Sequence, residues 1–189
     1  MKKEELLKID NIDGKVLAFP TDTVYGVGAK ITDKEGINKI YELKERDYDK
    51  PLAVLVGTLE DAISLVDGLP KEAVDLIIKH WPGALTIICD KSSIVPSFLN
   101  PKFQTIGIRM PNNKTALEIL KKYGPMATTS INISGEEPLN NYNDIVNQFG
   151  CQIDYIIESN EESSNISSTV IEIKDGNINV IRQGNIIVR

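Results

Sequence analysis

The sequence predicts an α/β fold: one domain spanning residues 1–189, with a twisted open sheet of mixed parallel and antiparallel strands flanked by helices. Three observations carry that expectation. Short apolar runs of strand length alternate with segments whose apolar residues recur at three- and four-residue steps. The C-terminal stretch turns to β-type runs around a hairpin signal, Lys174-Asp-Gly-Asn-Ile178. Finally, 189 residues, 41% hydrophobic and 25% charged, have the balance of a soluble globular protein and suffice to bury one substantial core.

Val16 to Phe19 is a short apolar run ended by Pro20, and reads as a buried strand entering a Thr-rich turn. A helix follows from Lys34 to Glu45, with Ile37, Ile40, Tyr41 and Lys44 on one face. Leu52 to Val56 is a second buried strand. Thr58-Leu-Glu-Asp61 then opens a helix with a capping-box-like pattern in which Asp61 stands in for the usual Glu. Pro70 starts another helix, which carries Ala73, Val74, Ile77 and Ile78 and ends before Pro82-Gly83. Leu85 to Cys89 and Gln104 to Ile108 are further strands. Asn112 to Tyr123 has the clearest helical pattern, with Ala116, Leu117, Ile119 and Leu120 as its apolar side and Gly124-Pro125 as its stop. Met126 to Ser130 returns as a strand and Asn140 to Phe149 is a short helix. Ile153 to Ile157, Thr169 to Ile173 and Ile178 to Ile181 close the chain as strands. The polar segment Glu158 to Ser168 is a loop too short to separate two domains.

Composition excludes several classes. No apolar run is long enough to cross a bilayer, and MKKEELLKIDNIDGK has basic residues without an uninterrupted apolar stretch behind them, so no membrane association and a cytoplasmic location are expected. Cys89 and Cys151 are isolated and expected to be reduced, Cys89 within its buried strand. The Asn-x-Ser/Thr matches at Asn113, Asn132 and Asn165 are then irrelevant to glycosylation. A net charge of −6 argues against nucleic-acid binding by diffuse positive charge, so any anion must be met locally. His80 is the single histidine, which removes histidine-rich zinc sites. Beside Trp81 it reads as a packing residue.

The local charge lies in YELKERDYDKPL, where Lys44, Arg46 and Lys50 fall within seven residues at a predicted helix end. Glu42, Glu45, Asp47 and Asp49 alternate with them, and the negative end of the helix dipole suits the bases, so spacing alone fits a solvated helix end as well as an anion site. No Walker sequence is present, and Gly26-Val27-Gly28 is a fragment of a dinucleotide fingerprint without its third glycine. Hydroxyl, amide and basic residues gather instead at predicted strand ends. These are Thr21, Thr23, Tyr25, Thr105, Arg109, Ser130, Asn132, Ser168 and Arg182. If those strands are parallel neighbours, their ends converge on one crevice.

Seven segments resemble the YrdC-like threonylcarbamoyl-AMP synthases. They are Phe19-PTDTVYGVGA-Lys30, Lys44-Glu-Arg46 with Lys50-Pro-Leu52, His80-WPGALT, Ile106-GIRMP, Thr128-TSINISG-Gly135, Ser168-Thr-Val170 and Ile181-Arg-Gln-Gly184. They occur in the family's order and cover the chain from about Lys15 to Gly184. The chain is similar to the short, single-domain form. The resemblance implies that L-threonine, bicarbonate and ATP, with Mg²⁺, give threonylcarbamoyl-adenylate and pyrophosphate. That product serves threonylcarbamoyl modification of an adenosine beside the anticodon of tRNA. It implies Lys44, Arg46, Ser130 and Asn132 as the catalytic set. Lys44, Arg46, Lys50, Thr105, Asn132, Asn140 and Arg182 fall at ATP-contacting positions. Thr23, Arg109, Ser130 and Ser168 fall at threonine-binding positions, with Arg109 the partner of the carboxylate. The chemistry suits these residue types, because displacement at the α-phosphorus needs cations around the attacked phosphate and the departing pyrophosphate. Further implied partners are a downstream threonylcarbamoyl transferase complex and contact with tRNA or double-stranded RNA.

Leu55 stands where many relatives have a histidine, Asp22 where Glu is more frequent, and Asn140 where Ser or Thr is common. Two other readings remain. One is an RNA-binding module of the same fold without adenylating activity, against which the negative charge and the lack of clustered aromatics weigh. The other is a carbamoyl-adenylate enzyme of hydrogenase maturation, which normally carries further zinc-finger-like and acylphosphatase-like domains. The length and polarity of Glu158 to Ser168 permit a lid.

Overall fold

The computed structural model describes residues 1–174 and 176–188. Its elements in chain order are α1 (Lys3–Leu6), β1 (Leu17–Phe19), β2 (Gly26–Lys30), α2 (Lys34–Leu43), β3 (Ala53–Leu55), α3 (Leu59–Ser64), α4 (Lys71–His80) and β4 (Leu85–Asp90). They continue with β5 (Thr105–Arg109), α5 (Lys114–Tyr123), β6 (Met126–Ser130), α6 (Tyr142–Phe149), β7 (Tyr155–Ile156), β8 (Thr169–Lys174) and β9 (Asn177–Arg182). The strands form one mixed sheet in the order β7-β1-β2-β6-β3-β5-β4-β8-β9. β1/β7, β3/β5 and β4/β8 run parallel and the remaining neighbours antiparallel. This is the predicted class.

Alternation along the strands separates two faces. On the back face Ala18, Val27, Ala29, Val54, Ile106, Ile108 and Ala127 pack with Ile37, Ile40 and Tyr41 of α2 and with Ile145 and Phe149 of α6. Leu85, Ile87 and Ile171 continue that layer under Ala73, Leu76 and Ile77 of α4. On the front face, Leu17, Phe19, Leu55 and Met126 are covered by Ala116, Ile119 and Leu120 of α5 together with Leu6 and Ile12. Beyond α5 the front face is open, and its small and polar side chains floor a cavity.

Side-chain caps set most helix starts. Asp33, Thr58, Asn113 and Asn141 each accept a backbone N–H of the first turn, leaving fewer orphaned donors. Asp61 answers Thr58 differently from a capping box, by accepting from the Thr58 hydroxyl at 2.7 Å. The end of α2 decides where the basic residues go. Lys44 is the C-cap, Glu45 follows at φ 48°, and Arg46 N donates to Tyr41 O while Glu45 N donates to Glu42 O. That is a Schellman closure with a glutamate where glycine is usual. It reverses the chain direction between Lys44 and Arg46.

The structure departs from the sequence reading at several points. Gly26 to Lys30 form a strand where the sequence predicts no element, and Gly26 and Gly28 in it lie against Thr128 of β6. A Cβ at either position would come within 3.0 Å of that side chain. The predicted apolar side of α4 is rotated: Val74 and Ile78 are exposed, Ile78 at 76%, while Leu76 joins the core. α2 ends before the expected Glu45. The predicted Asp-Gly turn includes Asp175, which lies outside the described residues, although β8 and β9 on either side pair as expected.

Candidate functional site

The front-face cavity measures about 470 Å³. Its floor is built by every second residue of adjacent strands: Ala53 and Leu55, Thr86 and Ile88, Thr105, Gly107 and Arg109, Thr128 and Ser130, Val170 and Glu172. The ligand-binding candidates therefore gather on one face of the sheet, not at converging strand ends. The expectation of parallel neighbours fails because β6 and β4 run antiparallel to β3 and β5.

Arg109 is only 6% exposed and is held on three sides. Nε donates to Gly83 O at 3.0 Å, Nη1 donates to Thr23 Oγ1 at 2.8 Å, and Nη2 pairs with Asp22. Gly83 also donates its N–H to Met110 O at 2.8 Å, so the turn after Trp81 grips the strand on both sides of Arg109. A side chain there would put Cβ 2.3 Å from His80 O. Burial lowers the Arg109 pKa and Asp22 opposes that shift. Five N–H groups with three bonded partners leave two for a ligand such as a carboxylate. Thr21 orders the loop below by accepting Thr23 N and sharing a hydrogen bond with its hydroxyl.

Two further arginines, Arg46 and Arg182, line the cavity. Arg46 lines the cavity with Nε on Lys50 O and Nη2 on Pro51 O, and burial lowers its pKa. Arg182 reaches in from β9, donating from Nε to Ser168 O and from Nη2 to Ser168 Oγ, each at 3.0 Å. Thr105 lines the cavity as well.

Lys44 does not point into the cavity. It is 1% exposed, and Nζ donates to Ser130 O at 2.5 Å and to Asn132 O and Oδ1 at 2.9 Å. Burial, with the charge of Arg46, pulls its pKa down to about 8. The expectation that Lys44, Arg46 and Lys50 all face the crevice thus holds for Arg46 alone. The reversal at Glu45 buries Lys44 under the Ser130–Asn132 turn and leaves Lys50 exposed, 3.5 Å from Ser134 Oγ. Asn132 is likewise outside the lining: Oδ1 accepts from Lys44 and Ser130, and Nδ2 donates to Ile133 O and Glu136 O. Since Ser130 gives its proton to Asn132 at 2.6 Å, it offers the cavity a lone pair. Asn140 accepts from Tyr25 N and lines a smaller polar cavity of about 230 Å³, which shares Thr21 with the main one.

Of the residues singled out in the sequence, Thr23, Arg46, Thr105, Arg109, Ser130, Ser168 and Arg182 meet around one cavity. Lys44, Lys50, Asn132 and Asn140 lie outside its lining. Thr86, Gly107, Thr128 and Glu172 line it without having been singled out. The two-residue alternation in Thr105-x-Gly107-x-Arg109 and Thr128-x-Ser130 was the signal available for Gly107 and Thr128. The segment Glu158 to Ser168 edges the cavity and is tied down along its length. Glu161 caps α5 through Lys114 N and Thr115 N, and Ser164 N donates to Asp22 O. Among the described residues no helix is long and apolar enough to cross a membrane, and no cluster of three or more His, Cys, Asp or Glu could hold a metal ion.

Comparison with known proteins gives consistent results. The profile of the Sua5/YciO/YrdC family, described as telomere recombination, matches residues 12–184. The threonylcarbamoyl-AMP synthase of Pyrococcus abyssi is 34% identical over 91% of this chain and 51% of its own, so this chain spans about half of that relative. A putative threonylcarbamoyl-AMP synthase of Methanocaldococcus jannaschii is 33% identical over 95% of this chain and 84% of its own. The crystal structure of P. abyssi Sua5 complexed with L-threonine superposes with a TM-score of 0.90 at 32% identity, covering 97% of this chain and 55% of that one.

Proposed function

Because the chain belongs to the Sua5/YciO/YrdC family, we propose that it is a threonylcarbamoyl-AMP synthase, joining L-threonine, bicarbonate and ATP into threonylcarbamoyl-adenylate with release of pyrophosphate. One observation carries the reading. A single cavity is lined by a buried arginine with N–H groups to spare and by two further arginines, which suits a ligand carrying a carboxylate and a polyphosphate. The L-threonine bound to the P. abyssi relative supports the same assignment.

In this reading Arg109 takes the threonine carboxylate, Ser168 donates to it, and Thr23 fixes the guanidinium. Ser130 accepts from an N–H or O–H of the amino acid. The threonine nitrogen, carboxylated by bicarbonate with loss of water, presents a carbamate oxygen to the α-phosphorus. That oxygen forms the new P–O bond as the bond to pyrophosphate breaks. Arg46 and Arg182 stabilise charge on the attacked and departing phosphates, and Thr105 orients the nucleotide. Catalysis is by placement and charge, with no covalent enzyme intermediate. Lys44 and Asn132 act by building the turn that carries Ser130, Lys50 meets phosphate from the rim, and Asn140 lies beside the nucleotide. Mg²⁺ enters on the ATP phosphates, where it neutralises charge. The enzyme works in the cytoplasm, and its product goes on to a transferase that modifies tRNA.

Pyrophosphate release from ATP by the purified protein tests this. Release is expected only when L-threonine and bicarbonate are both supplied, and Arg46→Ala should abolish it. Equal release without threonine would sink the assignment. Salt-dependent RNA binding without ATP turnover would favour an RNA-binding module instead.

A further inference from the structure

Thr86, on the floor of the cavity, has no role in the reaction as described, yet it touches the hydroxyl on which the carboxylate contact depends. It is 4% exposed, and its Oγ1 lies 2.9 Å from Ser168 Oγ. Ser168 Oγ also receives Arg182 Nη2 at 3.0 Å. A serine hydroxyl has one proton to give and two lone pairs to accept with. Arg182 fills one lone pair, because a guanidinium only donates. Thr86 is the remaining hydrogen-bonding neighbour of that hydroxyl among the described residues, and it can fill the second.

We propose that Thr86 is a positioning residue that makes Ser168 a dedicated donor toward a bound carboxylate. With Thr86 and Arg182 both donating to Ser168 Oγ, the serine proton has no protein acceptor left and turns to the cavity, toward the oxygen that shares the Arg109 fork. Two donors on one hydroxyl also polarise its O–H bond, which strengthens the third bond in the chain. Without a ligand the Thr86–Ser168 pair can reverse, with serine donating to threonine; an arriving anion selects the other direction. The geometry supports a pre-set arrangement. Gly107 leaves the space above Thr86 clear, since a Cβ there would lie 3.3 Å from Thr86 Cγ2. The backbone of Ser168 is held by Arg182 Nε on its carbonyl.

This inference rests on Ser168 contacting the amino acid, as proposed above. The test is calorimetric titration of L-threonine into the full chain and its variants. Thr86→Val keeps the shape and removes the hydroxyl, and should weaken threonine binding roughly five- to tenfold, the scale of one ordinary hydrogen bond. Thr86→Ser restores the hydroxyl and should bind within about twofold of the unaltered chain. In a Ser168→Ala background Thr86→Val should add nothing further, a non-additivity that a merely packing role would not produce. Equal losses in Thr86→Val and Thr86→Ser, no loss in Thr86→Val, or full additivity with Ser168→Ala would each overturn the role of Thr86 while leaving the functional reading intact. Failure of the unaltered chain to bind L-threonine would overturn that reading, and the inference with it.

Discussion

Ile108 and Arg109 are neighbours in β5, and the sheet sends them to opposite faces. Ile108 joins an apolar layer with Val54, Val27 and the residues of α2, whereas Arg109 joins Thr86, Gly107 and Ser130 around a polar cavity. The back face therefore has one task, exclusion of water, and any well-packed apolar residue serves it. The front face must leave room, and glycine, threonine and serine do that while holding charge at fixed points. Stability and chemistry are separated by the strand's own two-residue period, so they should also separate under mutation.

The sharpest break comes from the back face. Ile108→Ala should cost about 2–5 kcal/mol in denaturant unfolding, the price of a core cavity, with turnover per folded molecule nearly unchanged. Arg109→Lys, one residue on, should do the reverse. A lysine cannot reproduce the fork shared by Gly83, Thr23, Asp22 and a ligand, so threonine-dependent pyrophosphate release should fall by about two orders of magnitude. A large activity loss in the first or a large stability loss with normal turnover in the second would erase the distinction between faces.

Lys44 and Arg46 repeat the contrast within three residues. Lys44→Met strands Ser130 O, Asn132 O and Asn132 Oδ1, and should cost about 1–3 kcal/mol of stability. Its pH dependence is distinctive. Because the folded pKa is lowered to about 8 from 10.5, the unfolded chain binds the extra proton between those values, and the protein gains stability as pH rises through that window. Comparing unfolding of the native chain and Lys44→Met across that window should show the native chain gaining relative to the variant. A flat difference would contradict the burial of this ammonium. The smallest effect is expected at the hinge between the two charges: Glu45→Gly relieves the left-handed φ of 48° and should stabilise by about 0.5–1 kcal/mol, read in thermal unfolding, without changing turnover.

The fold was legible wherever apolar period and burial coincide. β1, β3 to β9 and helices α2 to α6 stand where the sequence placed them, to within a few residues. β2 was not, because its front-face residues are glycines that fit beneath Thr128 and look like turn residues when read alone. The face of α4 was misread because Leu85, Ile87 and Ile171 choose Leu76 over Ile78, and such a choice is made by distant strands. Within the site, Arg109, Ser168 and Arg182 line one cavity. The fate of Lys44 was hidden, because only the left-handed glutamate after it separates its direction from that of Arg46, and glutamate carries no turn signal. Thr86 was read as part of a strand, which it is. Its second role depends on a hydrogen bond to Ser168, 82 positions away in the chain.

The central claim is that the open face of the sheet carboxylates and adenylates one amino acid in one cavity. Mass spectrometry of the adenylate formed from ATP, L-threonine and isotopically labelled bicarbonate tests it most directly. The account predicts an adenylate carrying both threonine and the labelled carbon, formed about a hundredfold more slowly when Arg109 is replaced by lysine. A threonine adenylate without the label, or label incorporated when threonine is omitted, would contradict it.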